Sequence, residues 1–206
     1  MNQIILGKDE KRVIPIMLGS DVRHPEFISG SRNKFGMTEG RLDVVLSGEN
    51  SSVEVVGLVM PAPRSPALRG EVGGGKDDRS LEVYITHAAP NTKSNVNVRA
   101  VLRGRALFSF RGNVKIEKGA KGADAYLRSD ALLFDDAKMG DDTPALEILE
   151  KDVKAGHAAT VGKVDAQMLF YLMSRGISRK QAEEMLVEGF VEPVREKIMA
   201  ARRILP

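Results

Sequence analysis

Three histidines and no cysteine bound the chemistry open to this chain. Without a thiol there is no disulfide, no thiolate metal site and no cysteine nucleophile. His24, His87 and His157 are scattered, and none has the i, i+4 partner that would set two imidazoles on one helix face. A zinc site would need the fold to gather them. His24 stands beside Pro25 and reads as an exposed loop residue. His87 ends a strand-like run, where a structural hydrogen-bonding role is expected. His157 lies between Gly156 and Ala158, whose small side chains leave its imidazole room to reach a partner or a ligand. We take His157 as the candidate partner- or ligand-binding residue.

Two other patterns imitate chemistry. Gly70-Glu71-Val72-Gly73-Gly74-Gly75-Lys76-Asp77 has the glycine and lysine spacing of a phosphate-binding P-loop. That motif needs Ser or Thr after the lysine and a helix whose N-terminus faces the phosphates. Here Asp77 would repel phosphate and a strand-like stretch follows, so a surface loop is the reading. The acids Asp135, Asp136, Asp141 and Asp142 could suggest the paired carboxylates of a polysaccharide-active β-helix protein. Such a site needs a groove, usually with aromatic residues to stack on sugar, yet aromatics are 5% of the chain and Gly140 and Pro144 mark a polar turn. No catalytic residue is assigned, and a non-enzymatic protein is expected.

Bulk composition narrows the classes. The 206 residues suffice for one hydrophobic core with a small appendage. A net charge of +3 arises from 31 basic and 28 acidic residues spread along the chain, without the clustered Lys/Arg that tight phosphate contact requires, so nucleic acid is not an expected partner. No apolar run approaches the roughly 20 residues that span a bilayer. Lys8, Asp9, Glu10 and Lys11 interrupt the N-terminus where a signal peptide would be apolar, and a cytoplasmic location is expected.

The elements that must position His157 are mostly strands. From about Arg41 to Ile148, short β-type segments follow one another: Leu42 to Leu46, Val53 to Val59, Leu81 to Ile85, Val96 to Val101, Ala106 to Phe110, Val114 to Ile116, Tyr126 to Phe134 and Leu146 to Leu149. Gly48, Gly57, Gly104, Gly112, Gly119 and Gly122 are read as turns between them, and Met60 to Asp78 as a long loop. Pattern alone leaves sandwich, barrel and β-helix open, although short connections and Val, Leu, Ile and Ala at inward positions suit stacked rungs. After Thr160 the period becomes helical. Asp165 is the expected N-cap of a helix ending at Arg175, with Gly176 just past its end. Ser178 and Gln181 form a capping box for a second helix that Gly189 should stop. A third is expected near Pro193, with Val194, Ile198 and Ala201 on one stripe. The expected organisation is an N-terminal segment (1–40), a β core (41–162) and a C-terminal helical subdomain (163–206).

A set of short motifs in fixed order resembles the SufB/SufD family. They are His87 to Asn95, Phe110-Arg111-Gly112, Lys118-Gly119-Ala120, Asp124-Ala125, Leu132-Leu133 and Pro144-Ala145-Leu146-Glu147-Ile148. Asp152-Val153-Lys154, His157, Ala159 to Gly162, Phe170-Tyr171-Leu172, Ser174 to Ile177 and Gly189-Phe190 continue the set. The resemblance implies a mainly β fold, a right-handed parallel β-helix core with a small C-terminal helical part. It implies a component of iron–sulfur cluster assembly in the SUF system, a homodimer or heterodimer with a SufB/SufD relative. It further implies docking of a SufC-like ABC ATPase at Phe170, Tyr171, Arg175, Gly176 and Phe190. The family commonly has a cysteine two positions before the histidine; this chain has Ala155. Soft iron–sulfur chemistry favours thiolates, so no cluster is expected to be held stably by this chain alone. A transient cluster would draw one ligand from His157 and others from a partner or from Glu183 or Glu184. A divergent structural relative outside the pathway is the alternative.

Overall fold

Alternation such as Leu81-Glu82-Val83-Tyr84-Ile85, with every second side chain apolar, becomes sheet with one face turned to a core. The computed structural model describes residues 3–18, 31–32, 38–60 and 78–204. His24, the Gly70 to Asp77 stretch and most of the Met60 to Asp78 loop lie outside the described residues. The strands are β1 (Gln3–Leu6), β2 (Lys11–Leu18), β3 (Ser31–Arg32), β4 (Thr38–Leu46), β5 (Ser52–Val59), β6 (Asp78–His87), β7 (Lys93–Leu102), β8 (Leu107–Ile116), β9 (Asp124–Leu133), β10 (Lys138–Ile148) and β11 (Lys154–Lys163). Helices α1 (Ala166–Ser174) and α2 (Arg179–Ile204) follow.

Successive strands alternate between two sheets, one ordered β1-β4-β6-β8-β10 with β3 antiparallel on β4, the other β11-β9-β7-β5-β2. Within each sheet the long strands pair in parallel, so the chain winds as a parallel β-helix, one strand of each sheet to a turn. A turn takes about 30 residues in the C-terminal half, as from Leu81 to Phe110 or Leu127 to His157, within the range of solenoid repeats. Inward side chains stack in columns: Ile14, Val55, Val96 and Leu127 stand in register in one sheet, Leu42 and Val83 in the other. Each fully buried Leu, Ile or Phe of this lumen contributes about 1.5–3 kcal/mol.

Three local differences from the sequence reading have clear causes. The strand series starts at β1 and β2, before Arg41, because Leu6, Ile16 and Leu18 join the buried lumen. Gly57 and Gly112 are not turns; they lie inside β5 and β8. A Cβ at Gly112 would sit 2.4 Å from Leu127 Cδ1 and 3.1 Å from Phe110 Cε1, so the missing side chain is what lets those two large residues meet across the lumen. The helix stop at Gly189 does not occur either: α2 runs through it, with Pro193 in its interior. An interior proline costs roughly 3 kcal/mol, and the stripe Val191, Val194 and Ile198, buried against Val56, Leu58 and Val101 of the second sheet and against Phe134 just past β9, offsets it.

Candidate functional site

His157 lies within β11, directly beside Leu127, at the end of the column Ile14, Val55, Val96, Leu127. The sequence therefore writes an imidazole where every earlier rung of that column has an aliphatic side chain. It can be exposed because β10 and β11 form the last rung: no residue of either strand is buried. Ile148 is 44% and Val161 46% exposed, whereas Leu6, Ile16 and Leu18 at the opposite end are sealed. The β-helix thus has one closed end and one open end, and His157 stands on the inward row of the open one.

Asp142 shares that end. The pairing of β10 with β8 slips between Met139 and Asp142, a bulge that brings Asp142 beside Phe110, in the column of Leu81. Gly140 makes the bulge fit, since a Cβ there would meet Ser109 Oγ at 2.6 Å, and Asp141 N–H donates to that same oxygen at 3.3 Å. Ser129 Oγ donates to Asp142 Oδ1 at 2.9 Å, while Oδ2 is enclosed without a hydrogen-bond partner. Burial pushes the Asp142 carboxyl up, and the charges of Asp141 and Asp130 add to this against the opposing Ser129 hydrogen bond. The rest of the acidic run is engaged elsewhere. Asp141 faces Arg111 at 3.1 Å, and Asp135 Oδ2 accepts from Gly104 N–H at 2.9 Å, so no sugar-cleaving pair is assembled from these residues.

His87 has the structural role expected of it. It is fully buried, Nδ1 lies 2.8 Å from Thr92 Oγ1 and Nε2 lies 2.8 Å from Ser94 Oγ. Thr92 spends its own proton on the Ala89 carbonyl at 3.0 Å, so Nδ1 carries the imidazole hydrogen and Nε2 accepts from Ser94.

The helical region is built as the capping signals predict. Asp165 Oδ1 accepts from Gln167 N–H at 2.8 Å, and Gly176 takes a φ of 85° that ends α1. Ser178 and Gln181 bond reciprocally at the start of α2. Leu169 is the buried residue of α1; Phe170 is 73% exposed, with Met168, Tyr171, Met173 and Met185 exposed near it in sequence on α1 and α2. Arg175 donates to Tyr171 Oη at 3.2 Å and lies over its ring, which fixes both at the rim. Phe190 is placed differently. Its ring lies 5.2 Å from the Arg99 guanidinium, Arg99 donates to its carbonyl, and it packs on the sheet-facing cluster of α2. Glu183 is taken by Arg103 at 2.8 Å and Arg179 at 3.0 Å, its carboxyl held down chiefly by the Arg103 hydrogen bond, and Glu184 faces Lys180. Glu183 is thus engaged within the chain, whereas Glu184 stays on the exposed face of α2. A groove of 980 Å³ on the outer face of the second sheet carries Lys11, Lys93, Glu54 and Asp124 together, a mixture that favours no single ligand charge.

The sequence profile described as SUF system FeS cluster assembly, SufBD core domain, matches residues 32–190, from the strands that build the lumen to Phe190 on α2. The chain belongs to the SufBD core family. An iron-sulfur cluster assembly SufBD family protein of Mycobacterium bovis is 46% identical to it over 155 residues, 75% of this chain and 17% of that protein. The iron-sulfur cluster assembly protein SufD of Bacillus subtilis is 34% identical over 164 residues, 80% of this chain and 38% of SufD. SufB of the same organism is 38% identical over 135 residues, 66% of this chain and 29% of SufB. The SufBD-family chain thus spans well under half the length of each. No helix among the described residues is long and apolar enough to cross a membrane.

Proposed function

We propose that this chain acts in iron–sulfur cluster assembly as a non-enzymatic SufB/SufD-type component in the cytoplasm. Family membership across residues 32–190 is the observation that carries the reading. Two surfaces support it. The open end of the β-helix, with apolar Leu146, Ile148 and Val161 around His157, is suited to burial against a second β-helix. The exposed Phe170 and Tyr171, braced by Arg175 and the Gly176 turn, offer an aromatic and methionine-rich surface of the kind that adapts to a partner, here a SufC-like ABC ATPase. ATP-driven movement of docked ATPase subunits would be transmitted through α1 and α2 to the β-helix pair, with the cluster as transient cargo near His157.

Phe170→Asp is the clean test, since Phe170 is nearly free of the body whereas Phe190 holds α2 to the sheet. Light-scattering chromatography of the protein mixed with the SufC-type ATPase of the same cell should show a complex for the wild type and none for Phe170→Asp, with unchanged β-type circular dichroism. A wild-type chain that ignores the ATPase would favour a structural relative outside the pathway.

A further inference from the structure

With no cysteine in the chain, nine methionines are its whole supply of sulfur. The fold sorts them. Among the described residues, Met17, Met60 and Met139 are half-buried against the apolar clusters of the body. Met168, Met173, Met185 and Met199 are exposed, and all four stand on α1 or α2. On α1 the exposed sulfurs interleave with the exposed aromatics: Met168 precedes Tyr171 by three residues, and Phe170 precedes Met173 by three. Side chains at i and i+3 are neighbours on a helix surface. Each docking aromatic of α1 therefore has an exposed thioether beside it.

An exposed thioether is a soft nucleophile that a hydroperoxide oxidises. The sulfur lone pair attacks one oxygen of hydrogen peroxide, and the S–O bond forms as the O–O bond breaks. Sulfur gives up two electrons, and the departing hydroxide takes the proton of the new S–OH group and leaves as water. The sulfoxide that remains is a dipolar hydrogen-bond acceptor where an apolar, deformable side chain stood. Beside an aromatic ring that must shed water on docking, such an acceptor weakens binding unless the partner supplies a donor. We propose that Met168 and Met173 are sites of reversible oxidation by peroxide, and that their oxidation closes the α1 face to its ATPase partner. The proposal rests on the docking at Phe170 and Tyr171 put forward above and adds the regulation of that surface. A methionine sulfoxide reductase returns the two electrons and reopens the face. A docked ATPase covers the same sulfurs, so the complex resists the reaction that disables the free chain.

The test treats the purified protein with hydrogen peroxide, maps the oxidised residues by peptide mass spectrometry, and measures affinity for the SufC-type ATPase of the same cell before and after. Oxidation of Met168 and Met173 should weaken the complex by at least about tenfold with unchanged circular dichroism, and a methionine sulfoxide reductase should restore it. Met199 is the internal comparison. It is 46% exposed against 47% for Met168, but it follows Ile198, which packs on the second sheet. Bound ATPase should slow oxidation at Met168 and Met173 and leave Met199 as reactive as before. In Met168→Leu/Met173→Leu, a change that nearly conserves volume, treated and untreated samples of the variant should differ by less than about twofold, although Met185 and Met199 still oxidise. Treated wild type that binds like untreated wild type overturns the proposal. So does a double variant as sensitive to peroxide as wild type, or a complex in which Met168 oxidises as fast as in the free chain. Untreated wild type that does not bind the ATPase overturns the docking reading itself, and the proposal with it.

Discussion

His87 shows how one buried side chain makes stability depend on pH. Its ring is fully buried between Thr92 and Ser94, and burial lowers its pKa from the ordinary 6.5 to about 4, with the charge of Asp124 acting in the opposite direction. The unfolded chain binds a proton at pH values where the folded chain does not, so the unfolded state gains as pH falls. This contribution to stability is complete above about pH 6.5, declines between pH 6.5 and about 4, and reaches a ceiling of about 3 kcal/mol across that window. Chemical denaturation at a series of pH values should show the decline. His87→Gln, able to hydrogen bond but not to titrate, should flatten it even if it is less stable at pH 7. An unchanged slope in that variant would place the acid sensitivity elsewhere. The sequence exposed His87 as structural through its place at a strand end, but the tautomer depends on Thr92 and its bond to Ala89, which only the folded turn defines.

At the scale of elements, α2 has a division of labour that its periodicity did not reveal. One stretch of the helix carries Phe190, Val194 and Ile198 onto the second sheet, where Arg99, Arg103 and the Lys197 pair with Glu54 hold it. Helix α1 instead leaves its aromatic residues outside. Phe170 and Phe190, which the resemblance assigns to one docking region, should therefore behave differently. Phe190→Ala removes a half-buried ring from a packed cluster and should cost about 1–3 kcal/mol, below the range for fully buried Phe. Phe170→Ala should stay within about 0.5 kcal/mol of wild type, as solvent-exposed positions do. Thermal unfolding of the two variants checks this, and equal losses would contradict the division. The caps were legible because Asp165, Gly176, Ser178 and Gln181 act through bonds only a few residues long. The passage of α2 through Gly189 and Pro193 was not, because a tertiary stripe, not local propensity, decided it. Likewise Gly112 looked like a turn because the residue it accommodates, Leu127, is remote in sequence.

For the whole molecule the decisive property is polarity along the β-helix axis. A solenoid buries each rung by its neighbours, so its two ends are problems that each fold must solve. Strand-like segments and their inward residues could be read from alternation, but which rung was last, and hence that His157 and Asp142 stand at an open end, emerges only from the register of β10 and β11. That asymmetry predicts opposite fates for the same substitution at two inward positions of the second sheet. Val96 is fully buried in the middle of its column, and Val96→Asp would bury a charge without a partner, costing several kcal/mol and unfolding the chain. Val161 lies 46% exposed on the last rung, so Val161→Asp should fold with nearly wild-type circular dichroism. Its effect should fall on assembly, since two like charges would be brought into an apolar end-to-end contact. A dimer that unfolds to monomers has a melting temperature that rises with protein concentration by mass action. Wild-type protein should show that rise and Val161→Asp should not, melting instead at one temperature across a hundredfold range of concentration. If the wild type is also independent of concentration, the open end is not an interface between β-helices, and the apolar residues around His157 must be covered by something other than a second copy.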